Sequence, residues 1–182
     1  MLHGTGADEH DLLGLARALD LEASVLSPRG MHLESGMNRF FERYPDGSFN
    51  EASIDQGVAE LSEFIEAAIF EYELDRSNIF GAGFSNGANT AAALMIKHPA
   101  LLSGAALFGS TKPYRAVDDI NLKGKHIWLA NGDQDPYAPV QVSEAWVQEL
   151  HSFGADIKWL RHPGGHQISQ SHVTEIANAL YL

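Results

Sequence analysis

Asn78-Ile79-Phe80-Gly81-Ala82-Gly83-Phe84-Ser85-Asn86-Gly87-Ala88-Asn89 is the stretch that decides how the rest of the chain reads. The apolar and small residues of 78–84 predict a buried strand. Residues 86–97 predict a small-residue helix that ends near Pro99, since the position before a proline avoids the α region. Between them, Gly83-Phe84-Ser85-Asn86-Gly87 matches G-x-S-x-G. Glycine and serine are common, so the pattern alone is weak. A strand running straight in and a helix running straight out give it the context of a nucleophile elbow. In such a turn the serine takes strained backbone angles, and the flanking glycines let strand and helix approach without Cβ clashes. The hydroxyl then stands at a helix N-terminus, where amide dipoles favour developing negative charge. The plain alternative is a serine N-cap on an ordinary crossover helix.

Outward from the elbow, short apolar runs alternate with longer helical patterns. Val25-Leu26-Ser27, bounded by Pro28 and Gly30, predicts a short strand. Residues 53–72 place Ile54, Val58, Leu61, Ile65, Ile69 and Tyr72 on one helical face. Further strands are predicted at 103–109, 126–130 and 156–160, and further helices at 140–152 and 169–181. Such alternation implies an α/β fold with a mostly parallel sheet covered by helices on both faces. Residues 29–52 and 110–125 read as irregular connections, and long loops in compact domains tend to be functional. No large helical insertion separates 109 from 126, so an open site is expected.

An activated serine needs a base, and the base needs a group that fixes its tautomer. Gly164-Gly165-His166 follows the strand at 156–160, and Gly132-Asp133-Gln134-Asp135-Pro136 follows the strand at 126–130. Both loops lie at the carboxyl ends of strands, where open α/β sheets build their sites. His166 is favoured over its neighbour His162, because the two preceding glycines let the loop turn back toward Ser85. Asp133 and Asp135 compete for the orienting role. His3-Gly4-Thr5-Gly6 precedes the first helix and is placed to aim a backbone N–H at an oxyanion. The N–H of Asn86 supplies a second donor. His3 itself is expected to brace its loop. Phe40, Phe41, Tyr44 and Phe49 either line an acyl pocket or pack the 29–52 loop down.

Composition narrows the classes. The 182 residues suffice for one core and are short for two, so a single domain over 1–182 is expected. Asp and Glu number 24 against 12 Lys and Arg, a formal charge of -12 with no basic run, which argues against nucleic-acid binding. The longest apolar runs are too short for a bilayer, and no signal peptide is visible, so a cytoplasmic protein without membrane association is expected. The chain has no cysteine, which excludes disulfides, thiolate metal sites and a cysteine nucleophile. The histidines show no metal-ligand spacing.

Together these residues resemble the phospholipase/carboxylesterase family of α/β-hydrolases, which includes small bacterial carboxylesterases, lysophospholipases and acyl-protein thioesterases. The likeness runs the length of the chain. It rests on His3-Gly4-Thr5-Gly6 with Asp8-Glu9-His10-Asp11-Leu12, on Leu26-Ser27-Pro28-Arg29-Gly30, and on Gly36-Met37-Asn38-Arg39-Phe40-Phe41. It continues through the elbow, Asp135-Pro136 and Gly165-His166-Gln167-Ile168. The last of these is similar to the bacterial carboxylesterase branch that carries G-H-Q. The resemblance implies an α/β-hydrolase fold and a serine carboxylesterase acting on small acyl esters. It implies Ser85, His166 and Asp135 as the catalytic set, with Asp135 because the family's acid directly precedes proline. It assigns the oxyanion donors to Thr5 and Asn86. It implies no metal and no organic cofactor, and it leaves a homodimer open, since members are often dimers. Acyl-thioesterase and lysophospholipase activities use the same site, and a non-catalytic binding module is the reading from a different class. The chain departs from the family at its start, where almost nothing precedes the His-Gly loop. The sheet would there lack the strand between 25–27 and 78–84. Three outcomes are open: residues upstream of Met1, with a longer chain more stable and active than this one; direct pairing of the two strands; or a strand from a second chain.

Overall fold

A computed structural model describes residues 1–118 and 120–180. A four-stranded parallel sheet, in the order β3-β4-β5-β6, is formed by β3 (Phe80–Phe84), β4 (Gly104–Phe108), β5 (His126–Gly132) and β6 (Asp156–His162). Helices α2 (Glu51–Glu71), α3 (Asn86–Lys97) and α4 (Val140–Ser152) cover one face. Helices α1 (Leu13–Leu19) and α5 (Gln170–Leu180) cover the other. This two-layered covering follows from period-two alternation in fully buried strands. Ala105, Leu107, Ile127 and Leu129 join the core beneath α2, α3 and α4. Their neighbours Ala106, Phe108, Trp128 and Ala130 join the core beneath α1 and α5, with Leu19, Val173 and Ile176.

The predicted helices and three of the predicted later strands appear within two residues of their expected limits; the last residue of the 169–181 helix lies outside the described residues. The strand expected at 78–84 begins later, because Asp75 caps a 3-10 turn over Arg76–Asn78 through its side chain. The 29–52 stretch is less irregular than expected. It carries a hairpin of β1 (His32–Glu34) and β2 (Met37–Arg39), turned at Ser35 and Gly36, both at positive φ.

The expected strand at Val25-Leu26-Ser27 does not form. A strand needs a neighbour to receive its backbone groups, and the residues that lie between this segment and β3 are Met1 and Leu2. The Met1 ammonium donates to Leu26 O at 2.6 Å. Leu2 N–H donates to Ala82 O at 2.9 Å and Leu2 O accepts from Phe84 N–H at 3.2 Å. Leu2 therefore occupies the position between β3 and residue 26 as a single parallel bridge to Gly83. Direct pairing of the 25–27 segment with 78–84 is thereby ruled out: the two flank a cavity of about 1160 Å³, lined also by Leu61 and Ile65 of α2.

Candidate active site

The elbow is built as its sequence implies. Ser85 sits between β3 and α3 at φ 53°, ψ -115°, a conformation that costs a non-glycine residue about 1–3 kcal/mol. Its N–H donates to Phe108 O at 2.9 Å, and its C=O accepts from Asn89 N–H at 3.0 Å. The glycines are required by distance. A Cβ on Gly83 would stand 2.7 Å from the backbone of Gly87, and one on Gly87 would stand 2.0 Å from Leu2 O.

His166 Nε2 lies 2.8 Å from Ser85 Oγ, and its Nδ1 lies 2.7 Å from Asp135 Oδ2. The other carboxylate oxygen accepts from the N–H groups of Tyr137, at 2.8 Å, and Ala138, at 3.2 Å. An acceptor-only carboxylate on Nδ1 fixes the proton there and leaves the Nε2 lone pair toward serine. The carboxylate side chain is fully buried. The imidazole is held between Phe84 and Tyr137, with ring centroids at 4.8 and 4.9 Å. Gly109, at φ 61°, has room only for hydrogen where it faces His166, since a Cβ would stand 2.8 Å from the ring.

The rivals lie elsewhere. Asp133 pairs with Arg161 at 2.7 Å on the surface. His162 Nδ1 accepts from Gly164 N–H at 3.0 Å, which braces the loop that carries His166. His3 also braces: its Nε2 accepts from Gly30 N–H at 2.9 Å, while Nδ1 lies 2.7 Å from Gly4 O.

Thr5 and Asn86 line the same cleft as Ser85 and His166. Among the described residues, neither backbone N–H has a hydrogen-bond acceptor. The Asn86 side chain accepts from Phe40 N–H at 2.7 Å, tying the hairpin segment to the elbow. The four aromatic residues of 29–52 divide. Phe41 and Phe49 line the cleft and meet edge to face at 5.1 Å. Phe40 packs on His3 at 4.8 Å, and Tyr44 is exposed and outside the cleft. Sequence reasoning gave no role at the site to Tyr137, Gly109, Arg39 or Arg43. For Tyr137 the signal was its place two residues after Asp135. Beneath the site, Asn89 Oδ1 accepts from Ser110 Oγ and Thr111 N–H, both at 2.9 Å. Asn131 receives Ser110 N–H at 3.1 Å and donates to Ser143 Oγ at 2.9 Å, so the floor of the cleft is a satisfied buried polar network.

The chain belongs to the phospholipase/carboxylesterase family, whose profile matches residues 1–182. It is 37% identical to the MhqD protein of Bacillus subtilis (strain 168) over 181 residues, which cover 100% of this chain and 90% of that protein. Among solved structures, the Bacillus cereus carboxylesterase aligns with a TM-score of 0.94 at 41% identity, covering 98% of this chain and 84% of that one. A carboxylesterase from Mesorhizobium loti aligns with a TM-score of 0.92 at 29% identity, covering 99% and 86%. The fold is that of an α/β-hydrolase, and the protein is a hydrolase of the ester-cleaving class.

Proposed function

We propose that the protein is a serine carboxylesterase that cleaves small acyl esters through an acyl-enzyme. The observation that carries this reading is the position of His166, one nitrogen on Ser85 Oγ at 2.8 Å and the other on the buried Asp135 at 2.7 Å. Ser85 Oγ attacks the ester carbonyl as His166 Nε2 takes its proton. Asp135 stabilises the imidazolium through Nδ1–H. The oxyanion is received by the N–H groups of Thr5 and Asn86, aided by the N-terminus of α3. His166 then protonates the leaving alcohol, the ester C–O bond breaks, and an acyl-Ser85 ester remains. Water enters, loses a proton to His166 and releases the acid. The residues need no cofactor or metal for these steps.

The cleft has a volume of about 660 Å³, with Phe41, Phe49 and Met37 on its wall. That wall favours short acyl groups, because no amphipathic lid among the described residues shields a long tail. A series of 4-nitrophenyl esters tests the reading. The specificity constant is expected to peak between acetyl and hexanoyl. A higher value for dodecanoyl refutes the chain-length preference. Absence of both turnover and fluorophosphonate labelling at Ser85 refutes the esterase reading and leaves a binding module.

A further inference from the structure

The cleft wall carries a buried cation that the chemistry at Ser85 does not use. Arg39, the last residue of β2, is 2% exposed and lines the cleft. A guanidinium offers five N–H donors and always carries charge. Among the described residues none accepts a hydrogen bond from it. Its ion-pair contact, Nε to Glu34 Oε2 at 2.9 Å, is misaligned, so both atoms stand without a hydrogen-bond partner. Arg43 also lines the cleft, and its Nη2 lies 3.7 Å from the other oxygen of the same Glu34. The Nε of Arg43 is likewise buried and unpaired. Two guanidinium charges thus share one carboxylate, and Glu34 is outside the cleft lining. Asp11 is the acidic group on the cleft wall besides, and it is exposed. The charges acting on Arg39 are Arg43 and Glu34; burial, followed by Arg43, lowers its pKa against the opposing pull of Glu34.

A buried cation without hydrogen bonds is costly unless an anion completes it. Among the described residues nothing else on the cleft wall supplies that anion. The protein as a whole, at formal charge -12, does not gather cations for general anion capture. Placement also matters. Asn86, whose N–H belongs to the proposed oxyanion hole, holds Phe40 N–H through its side chain. The backbone of Arg39 is therefore held beside a residue anchored to the elbow itself, on the wall of the cleft that also holds Ser85.

We infer that Arg39 and Arg43 form an anion subsite and that the substrates are short esters bearing a carboxylate. The planar fork of a guanidinium suits a carboxylate bidentately, and a charge-assisted pair in a partly dry cleft is stronger than a neutral one. This rests on the esterase reading and specifies its substrate class.

The test compares matched esters. Mono-4-nitrophenyl glutarate is set against 4-nitrophenyl pentanoate, which places the charge on the acyl side. The 4-acetoxybenzoate anion is set against 4-methylphenyl acetate, which places it on the alcohol side. In at least one pair the anionic member is expected to have a specificity constant about ten- to a hundredfold higher, the range of one charge-assisted hydrogen bond. The ratio should fall toward one in Arg39→Met, carried mainly by KM. Arg43→Gln, at a partly exposed position, is the second variant should Arg39→Met not fold, and it should lower the same ratio. Glutarate should inhibit hydrolysis of the neutral ester competitively, and less well in Arg43→Gln. Equal or lower constants for the anionic member of both pairs, with neutral esters still cleaved, overturn the subsite and leave the esterase reading standing. No cleavage of any of the four, with no labelling of Ser85, overturns both.

Discussion

Ser85 holds a strained backbone so that its hydroxyl meets His166, and the neighbouring residues over-determine that geometry through Phe108, Asn89 and two close glycines. Because the strain is borne by backbone contacts, Ser85→Ala should fold normally. Its expected loss in turnover is about 10⁶-fold, the cost of removing a serine that acts as one unit with its base. Near-wild-type turnover by a pure Ser85→Ala protein would contradict the mechanism. Asp135 and Asp133 are two positions apart and differ in everything that matters to His166. Asp135 is buried with two backbone donors on one oxygen and the imidazole on the other, whereas Asp133 pairs with Arg161 at the surface. Asp135→Asn should lower turnover about 10⁴-fold, because an amide donor invites the wrong tautomer. Asp133→Asn should stay within a few-fold of the parent, since exposed pairs contribute little. The reverse ranking of kcat would exchange their roles.

At the scale of elements, the candidate site is the place where β3 ends and α3 begins, and it depends on how closely those two approach the residues before the Gly4–Gly6 loop. The Cβ of a Gly87→Ala variant would meet Leu2 O at 2.0 Å, and Leu2 O accepts the Phe84 N–H. Either Leu2 leaves β3 or α3 tilts away from it. Such overpacking typically costs about 1–3 kcal/mol, and either movement displaces Thr5 from Asn86. Gly87→Ala is expected to lower both Tm and kcat, and an unchanged Tm would show that the elbow has slack. Another tie joins the β4–β5 connection to the helices above it. Tyr114 donates to Asp55 at 2.8 Å, and Lys97 pairs with the same carboxylate at 3.0 Å. Burial raises the phenol's pKa, so the donor persists throughout the working range. Tyr114→Phe should cost about 0.5–1.5 kcal/mol by chemical denaturation without changing kcat.

Across the whole molecule, acid stability is set by exposed carboxylates tied to cations and backbone donors. Glu9 is held at about 2, below its ordinary 4.5, chiefly by its hydrogen bonds from Arg29, one of them at 2.9 Å. The Arg76 guanidinium lowers Glu66, and the Ser77 hydroxyl lowers Asp75. An acid whose pKa is lowered by folding binds fewer protons when native than when unfolded, so its contribution is present above about 4.5 and fades as pH falls toward 2. The Met1 ammonium acts over a higher window. Burial lowers it from 8.0 to about 6, so the unfolded chain binds more protons between those values and stability declines as pH falls from 8 to 6. Tm should therefore decline from pH 8 to 6 and again below about 4.5. Acetylation of the terminal amine should flatten the upper decline, and Glu9→Gln should reduce the lower one. A Tm that rises on acidification through 8 to 6 would refute the first assignment.

Much of this was legible because it is local. Strand, turn and helix around Ser85 follow from apolar runs, glycine spacing and a G-x-S-x-G context, and the alternation of the later elements follows from periodicity alone. Residues 25–27 mislead for the opposite reason: a strand is defined by its neighbour, and this segment receives the Met1 ammonium on Leu26 O while the bridge of Leu2 goes to Gly83. Between Asp133 and Asp135 the residues themselves left the choice open, because both follow the same strand; the resemblance named Asp135 from the proline after it, and the return of the 164–166 loop brings His166 to that carboxylate. Arg39 entered the sequence reading only as part of Gly36-Met37-Asn38-Arg39-Phe40-Phe41, with no role at the site. The sequence by itself determined the class of fold, the strand, turn and helix around Ser85 and the strand-end positions of the two loops that approach it, since these depend on residue types at short spacing. Only the tertiary structure decided which aspartate is buried, which aromatics face the cleft and that a guanidinium lies beside it without a hydrogen-bond partner. Burial and hydrogen-bond satisfaction are properties of segments brought together across the chain, and no window of sequence contains them.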